Sequence, residues 1–292
     1  MIYTITTNTV IPIKVKRDFM SRPEPIAVID SVAISEFLVQ NSDFTFELEV
    51  VNALHEKGIS YIEHSGTYID PVEKKPREFD IRADIYPMGH KCIRLAIECK
   101  NVRPESPVII ECVPRGIKES EHQVVMFAGN ANSLCGKVHA CESFYKVEKP
   151  VGKSWKQYGK HKDIKEKDPD IYVKWAQALN SAHDLLSTCH EIYNRNGANE
   201  LWVAVFPIVV IPDGRLWAVE YDSNGKLSAS PKPAERLSFF INREYKTTIT
   251  HPEVQLNFRI SHLEVMTISG LKAAVDMYKD ADTDIFHRKT SW

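Results

Sequence analysis

No stretch of this chain is apolar for long enough to cross a bilayer, which takes about 20 residues. The opening segment, MIYTITTNTVIPIKVKRDF, has no continuous apolar run of the kind a secretory signal needs. Both absences set the expectation of a cytoplasmic protein with no membrane partner. Glycine is scarce, 12 in 292 residues, and Gly136-Lys137 and Gly152-Lys153 lack the flanking glycines of a phosphate-binding loop. Without such a loop or a dinucleotide fingerprint, ATP-driven translocation does not reside in this chain. Charge of one sign is also missing: the net value is −2, so any nucleic-acid-binding surface must be local. Cys135, His139 and Cys141 (CGKVHAC) lack a Cys-x₂₋₄-Cys pair and a fourth ligand, which sets zinc aside. Reduced thiols in a reducing compartment are the reading for the six cysteines.

What is present is an ordinary globular composition, 43% hydrophobic, enough for a sizeable core. The most informative stretch is Arg77 to Val102, REFDIRADIYPMGHKCIRLAIECKNV. Phe79, Ile81, Ala83 and Ile85 alternate with Asp80, Arg82 and Asp84. Leu95, Ile97 and Cys99 alternate with Arg94, Ala96, Glu98 and Lys100. Both patterns have the period of a strand. With a three-residue loop, Met88 to His90, and a positive φ at Gly89, Pro87 pairs with Lys91. Asp80 then faces Glu98, with Cβ atoms about 5 Å apart, and Asp84 faces Arg94 as an ordinary ion pair. Two carboxylates so close repel unless a cation or proton lies between them. A divalent metal there could activate a water, and Lys100, about 7 Å further along the same face, could orient or help deprotonate it. The alternative is a solvated strand face, because charged residues two apart are common.

A third acid lies upstream. Asp43 to Gly58, DFTFELEVVNALHEKG, reads as an amphipathic helix with Ser42 as N-cap and Gly58 as its stop. Glu47 falls within its apolar arc, beside Phe44, Phe46, Leu48, Val50, Val51, Ala53 and Leu54, where an unpaired carboxylate is costly. A neighbouring metal site would supply its partner. So would an arginine or a helix end.

Phe46-Glu47-x-x-Val50, then Asp80, then Glu98-x-Lys100 resemble the PD-(D/E)XK nuclease superfamily, the restriction-endonuclease-like fold. Phe79 stands at the position of the motif's proline. The resemblance implies an α/β protein whose central mixed sheet is flanked by helices in the order αβββαβ. It covers residues 42–222, with an insertion at about 114–169. Residues 1–41 are read as an N-terminal extension packed on the core. Residues 223–292 are read as a C-terminal α+β addition ending in a helix at Thr267 to Asp280. Carried over, the family's roles make Asp80 and Glu98 the metal ligands with the Cys99 backbone carbonyl. Lys100 becomes the catalytic lysine and Glu47 an accessory acid near the metal. The implied cofactor is Mg²⁺ or Mn²⁺, and the implied activity is hydrolysis of phosphodiester bonds. The implied substrate is DNA, with RNA as an alternative, and the setting restriction or phage defence, as a homodimer or a partner subunit. The rival reading is a non-catalytic nucleic-acid-binding or interaction module that keeps the fold.

Further along, Lys146 to Lys167, KVEKPVGKSWKQYGKHKDIKEK, interleaves lysines with aromatics. Lys153, Lys156 and Lys160 are candidates for phosphate contact and Trp155 for base stacking. A solvated loop is the plainer alternative. Asp170 to Asn196 is expected as a helix packed on the sheet, with Gln177 facing solvent. Leu201 to Ile211 (LWVAVFPIVVI) is expected as a central strand, forming an edge hairpin with Arg215 to Tyr221 through Pro212-Asp213-Gly214. Pro107 to Val113 is expected at an edge because of its proline.

Overall fold

The periodicities become elements nearly where the sequence places them. The computed structural model describes residues 30–70, 72–87, 90–128, 135–158, 164–165, 169–189, 200–250, 253–280 and 284–288. Among them are four helices, α1 (Ser31–Asn41), α2 (Phe44–Glu56), α3 (Pro169–Ser187) and α4 (Ile268–Lys279). The first strands are β1 (Tyr61–Ile69), β2 (Pro76–Ile85), β3 (Lys91–Cys99), β4 (Val108–Pro114), β5 (His122–Ala128) and β6 (Cys135–Cys141). Then come β7 (Pro150–Tyr158), β8 (Ile164–Lys165), β9 (Glu200–Ile211), β10 (Leu216–Glu220), β11 (Lys232–Pro233), β12 (Arg236–Thr250) and β13 (Glu253–Thr267). The protein is a mixed α/β fold built on one large mixed sheet. None of the described helices is long and apolar enough to cross a membrane.

The chain divides into two compact units, Met1–Asn41 and Ser42–Trp292. In the first, Asp30 accepts the Ala33 N–H at 2.8 Å and caps α1. The strand-like stretch TITTNTVIPIKVK lies outside the described residues.

In the second unit the sheet order is β1-β2-β3-β9-β13-β12-β7-β4-β10-β11. β1, β2 and β3 are antiparallel neighbours, and β9 runs parallel to β3 from Lys91↔Trp202 to Cys99↔Val210. The first half of β9 also pairs with β5 and its second half with β13. That double coverage explains its nearly unbroken burial.

Two clusters fix the helices. Phe46, Val50 and Leu54 of α2 join Leu271, Val275 and Tyr278 of α4 over Ile81, Ile97 and Ile208 on one face. On the other, Leu179, Ala182, Leu185 and Leu186 of α3 cover Cys92, Ala96 and Val203.

Beyond β3 the chain departs from the sequence reading in four places. β10 does not form a hairpin with β9; it pairs with β4 in parallel and with β11. The Pro212 turn is tied instead to α4, where the Asp213 carboxylate accepts the Ser269 N–H at 2.9 Å and hydroxyl at 2.8 Å. The C-terminal strands are not peripheral, since β13 and β12 fill the gap between β9 and β7. β4 is interior, between β7 and β10, because Pro107 precedes the strand and leaves its ladder intact. The lysine-rich segment is no loop over Pro150–Tyr158, which forms β7.

Candidate active site

Strand register creates the site. β2 pairs with β3 as Ile85↔Ile93, Asp84↔Arg94, Ala83↔Leu95, Arg82↔Ala96 and Ile81↔Ile97, the register expected from the three-residue loop. Met88 and Gly89 lie outside the described residues, while His90 takes a positive φ of 55°. Asp84 accepts from Arg94 at 2.9 Å, as expected of that pair. The ladder stops after Ile81↔Ile97, one step short of Asp80 and Glu98. Opposite Asp80 on β1, Ser65 adopts φ 54° and skips its pair between His64↔Ile81 and Gly66↔Phe79. Freed from the ladder, the Asp80 carboxylate accepts the Cys99 N–H at 2.7 Å. Phe79 lies so close that a Cβ on Gly66 would meet its ring at 2.4 Å. Glycine is required there.

Glu98 is fully buried, and Asp80 is largely so. The cation between them is Lys174 of α3. Its Nζ donates to Asp80 Oδ2 at 2.5 Å and to Glu98 Oε2 at 3.3 Å, which places the two carboxylates within about 6 Å of one another. Burial, and then the Asp80 charge, pushes the Glu98 carboxyl well above the usual carboxylate range. Burial alone would lower Lys174, but Glu98 and Asp80 outweigh it and hold the ammonium above its ordinary value. Glu98 Oε1 is buried and has no hydrogen-bond donor.

Lys174 was not legible as a site residue, although a signal existed. It lies three residues after Ile171 and four before Ala178, on the flank of the apolar stripe of α3, as Glu47 does on α2. Gln177, one turn on, is half-buried rather than solvent-facing, and its Oε1 also lacks a donor.

The other expected residues are placed as follows. Glu47 enters from the α2 side of the sheet and pairs with His64 at 3.0 Å. Its charge, with those of Asp80 and Glu98, reaches the Cys99 thiol, which burial first and these acids next push well up. The apolar arc around Glu47 is narrower than expected, since Phe44 and Leu48 are exposed. Ser42 Oγ accepts the Phe44 N–H at 3.2 Å, and Gly58 closes α2 at φ 67°. Lys100 follows β3 directly, half-buried, with its N–H bonded to Val210 O at 2.9 Å.

The expected nucleic-acid contacts need correction. Trp155 is a core residue, 5% exposed and stacked on Phe239 with ring centroids 6.0 Å apart, so it cannot stack on a base. Lys153 is paired with Glu119, and Lys156 with Glu111 at 2.9 Å. Lys160 lies outside the described residues.

A divalent metal can be tested against this donor set. For it stand two carboxylates with a cation already between them and an orphaned buried carboxylate oxygen. Among the described residues, however, no group of three or more His, Cys, Asp or Glu side chains could hold a metal ion. Asp80, Glu98 and a main-chain carbonyl would therefore have to suffice, with Lys174 withdrawn. No protein-family model, curated protein or solved structure matches the chain.

Proposed function

We propose that the protein is a metal-dependent nuclease with a restriction-endonuclease-like core, hydrolysing phosphodiester bonds of DNA in restriction or phage defence. The observation that carries this reading is the Asp80–Glu98 pair at the frayed end of the β2–β3 ladder, with one Glu98 oxygen buried and unsatisfied. With β4 to β8 set aside as an insertion, the order α2, β1, β2, β3, α3, β9, with β9 parallel beside β3, supports it as the αβββαβ order of that fold. Asp80, Glu98 and the Cys99 carbonyl would hold Mg²⁺ or Mn²⁺. When bound, the ion supplies Lewis-acid neutralisation of charge on the phosphate. Lys174 and Lys100 bring positive charge from α3 and from the end of β3. Glu47, paired with His64, is an accessory acid on the other side.

The test is incubation of plasmid and linear DNA with Mg²⁺, Mn²⁺ or EDTA. Cleavage is expected with the metals, and none in EDTA or with Asp80→Ala or Glu98→Ala. Cleavage by either folded variant at the wild-type rate would overturn the site.

A second reading rests on α3 itself. Below Lys174, Ser181 and Asp184 bind Arg82 at 3.1 and 2.9 Å, and Leu185 O and Thr188 bind Arg94 at 2.7 and 2.9 Å. Lys174 with Asp80 and Glu98 could be the first rung of a structural ladder in a non-catalytic module. The Glu98 oxygen left open beside Asp80 favours the nuclease, since it is a carboxylate oxygen that a cation would satisfy, whereas the orphan of the Arg82 rung is a donor.

A further inference from the structure

On the opposite face of the sheet from Lys174 lies a cavity of about 670 Å³, within the range of small-molecule sites. Its lining contains Arg115, which is 3% exposed. The guanidinium donates to Ser238 Oγ at 2.5 Å and lies over the Tyr145 ring at 5.0 Å. Neither contact neutralises it. Arg115 Nε is buried with no acceptor, and among the described residues no carboxylate forms an ion pair with it. The nearby buried acid, Glu264, is already committed: Tyr145 Oη donates to one oxygen at 2.7 Å and Arg236 Nε to the other at 2.8 Å. Lys232 neutralises Glu220 at 2.7 Å, and Lys146 faces Asp284 at 4.0 Å. Lys149 and Glu235 are exposed beside the cavity. Asp280 completes the lining, whose acids and bases balance, and Arg115 stands in it as a buried guanidinium that no ion pair among the described residues engages.

A buried charge without an ion pair is strongly unfavourable, and a planar guanidinium is suited to a phosphate or carboxylate. We propose that this cavity is a binding site for a small oxyanion-bearing molecule of about nucleotide size, with Arg115 as the residue that receives the anion. Ser238 holds one end of the guanidinium and Tyr145 supports its face. Burial lowers Arg115 from its ordinary value, opposed by Tyr145, Glu264 and Glu119. An arriving anion would relieve that penalty. The site stands apart from Asp80 and Glu98 and does not depend on the nuclease reading.

The test uses calorimetry and thermal melts of the full chain with inorganic phosphate, acetate and adenosine 5′-monophosphate, at ionic strength matched with sodium chloride. At least one probe is expected to bind saturably and raise the Tm, whereas chloride should not. Phosphate binding without acetate binding would identify a phosphoryl ligand, and the reverse a carboxylate. Arg115→Met should weaken binding at least tenfold while raising the Tm of the unliganded protein, because the uncompensated charge is gone. Should that variant fail to fold, Arg115→Gln and Arg115→Lys serve instead, with binding lost in the first and retained in part in the second. The proposal is overturned if no probe binds saturably to the wild type, or if a folded variant without the charge binds as well as the wild type.

Discussion

Lys174 Nζ lies 2.5 Å from Asp80 Oδ2 and reaches Glu98 at 3.3 Å, so an ammonium stands where two buried carboxylates require a cation. The same place suits a metal, and the two cations compete for it. That competition separates an active site from a structural ion pair.

Lys174→Met removes the ammonium with little change in volume. Truncating one partner of a buried pair costs ~3–5 kcal/mol, so urea denaturation in EDTA should show a loss of that order. If Asp80 and Glu98 bind a divalent ion, Mg²⁺ at 100 times its Kd returns ~2.7 kcal/mol, and the variant should bind Mg²⁺ more tightly than the wild type. Equal stability of the variant in EDTA and in Mg²⁺ would favour the structural ladder.

Glu98 makes a pH-dependent prediction. Its carboxyl is raised above the ordinary 4.5, by burial first and Asp80 second. A raised folded-state value means that the proton stabilises the fold below about pH 4.5, and that this contribution is lost as pH rises through the folded value. Lys174, raised above 10.5, contributes equally throughout the range from pH 5 to 8. Glu98→Gln should therefore gain stability relative to the wild type as pH rises from 5 to 8. Parallel urea midpoints at both ends would refute the burial argument.

The left half of the sheet was legible because its signals are local. Alternation set β2 and β3, one turn set their register, and the uniform apolar run of β9 marked a strand covered on both faces. The right half was not, because its neighbours come from far along the chain. Nothing in RLWAVEY says that it pairs with β4, a strand about a hundred residues upstream, rather than with the adjacent β9. Within the site, Asp80 and Glu98 could be paired from strand geometry alone. Lys174 could not, since its position depends on where α3 crosses the sheet. The β7 lysines misled because the strand carries a register shift at Lys153, between Glu111↔Ser154 and Cys112↔Gly152, which breaks the period-two alternation that marks a strand.

Trp155 and its neighbouring lysines carry opposite expectations to those of a nucleic-acid surface. Trp155→Ala should cost ~3–5 kcal/mol as a core truncation, measured by urea denaturation. Lys153→Ala with Lys156→Ala should leave the salt dependence of DNA binding unchanged, because Glu119 and Glu111 already hold both ammoniums. Each phosphate contact contributes a slope of about −0.9 in log affinity against log salt. A slope flattened by nearly two units would restore the lysines as DNA contacts.

His122 makes the last prediction, on acid stability. It is 4% exposed, donates from Nε2 to Ile285 O at 2.7 Å, and packs edge-on against Tyr145 with centroids 5.6 Å apart. Burial lowers its pKa to about 4 from the ordinary 6.5, opposed by the Ile285 hydrogen bond. A depressed folded-state value means that the neutral ring stabilises the fold fully above pH 6.5, and that this contribution falls away as pH drops towards 4. Each tenfold weakening of proton affinity on folding corresponds to ~1.4 kcal/mol, so the loss over that window is ~3 kcal/mol. His122→Gln, which can keep a donor towards Ile285, should be less stable than the wild type at pH 8. The difference should narrow as pH falls, because glutamine takes up no proton. Urea denaturation at pH 8, 6 and 4.5 measures the gap, and a gap constant across the three would mean that His122 is not held neutral by burial.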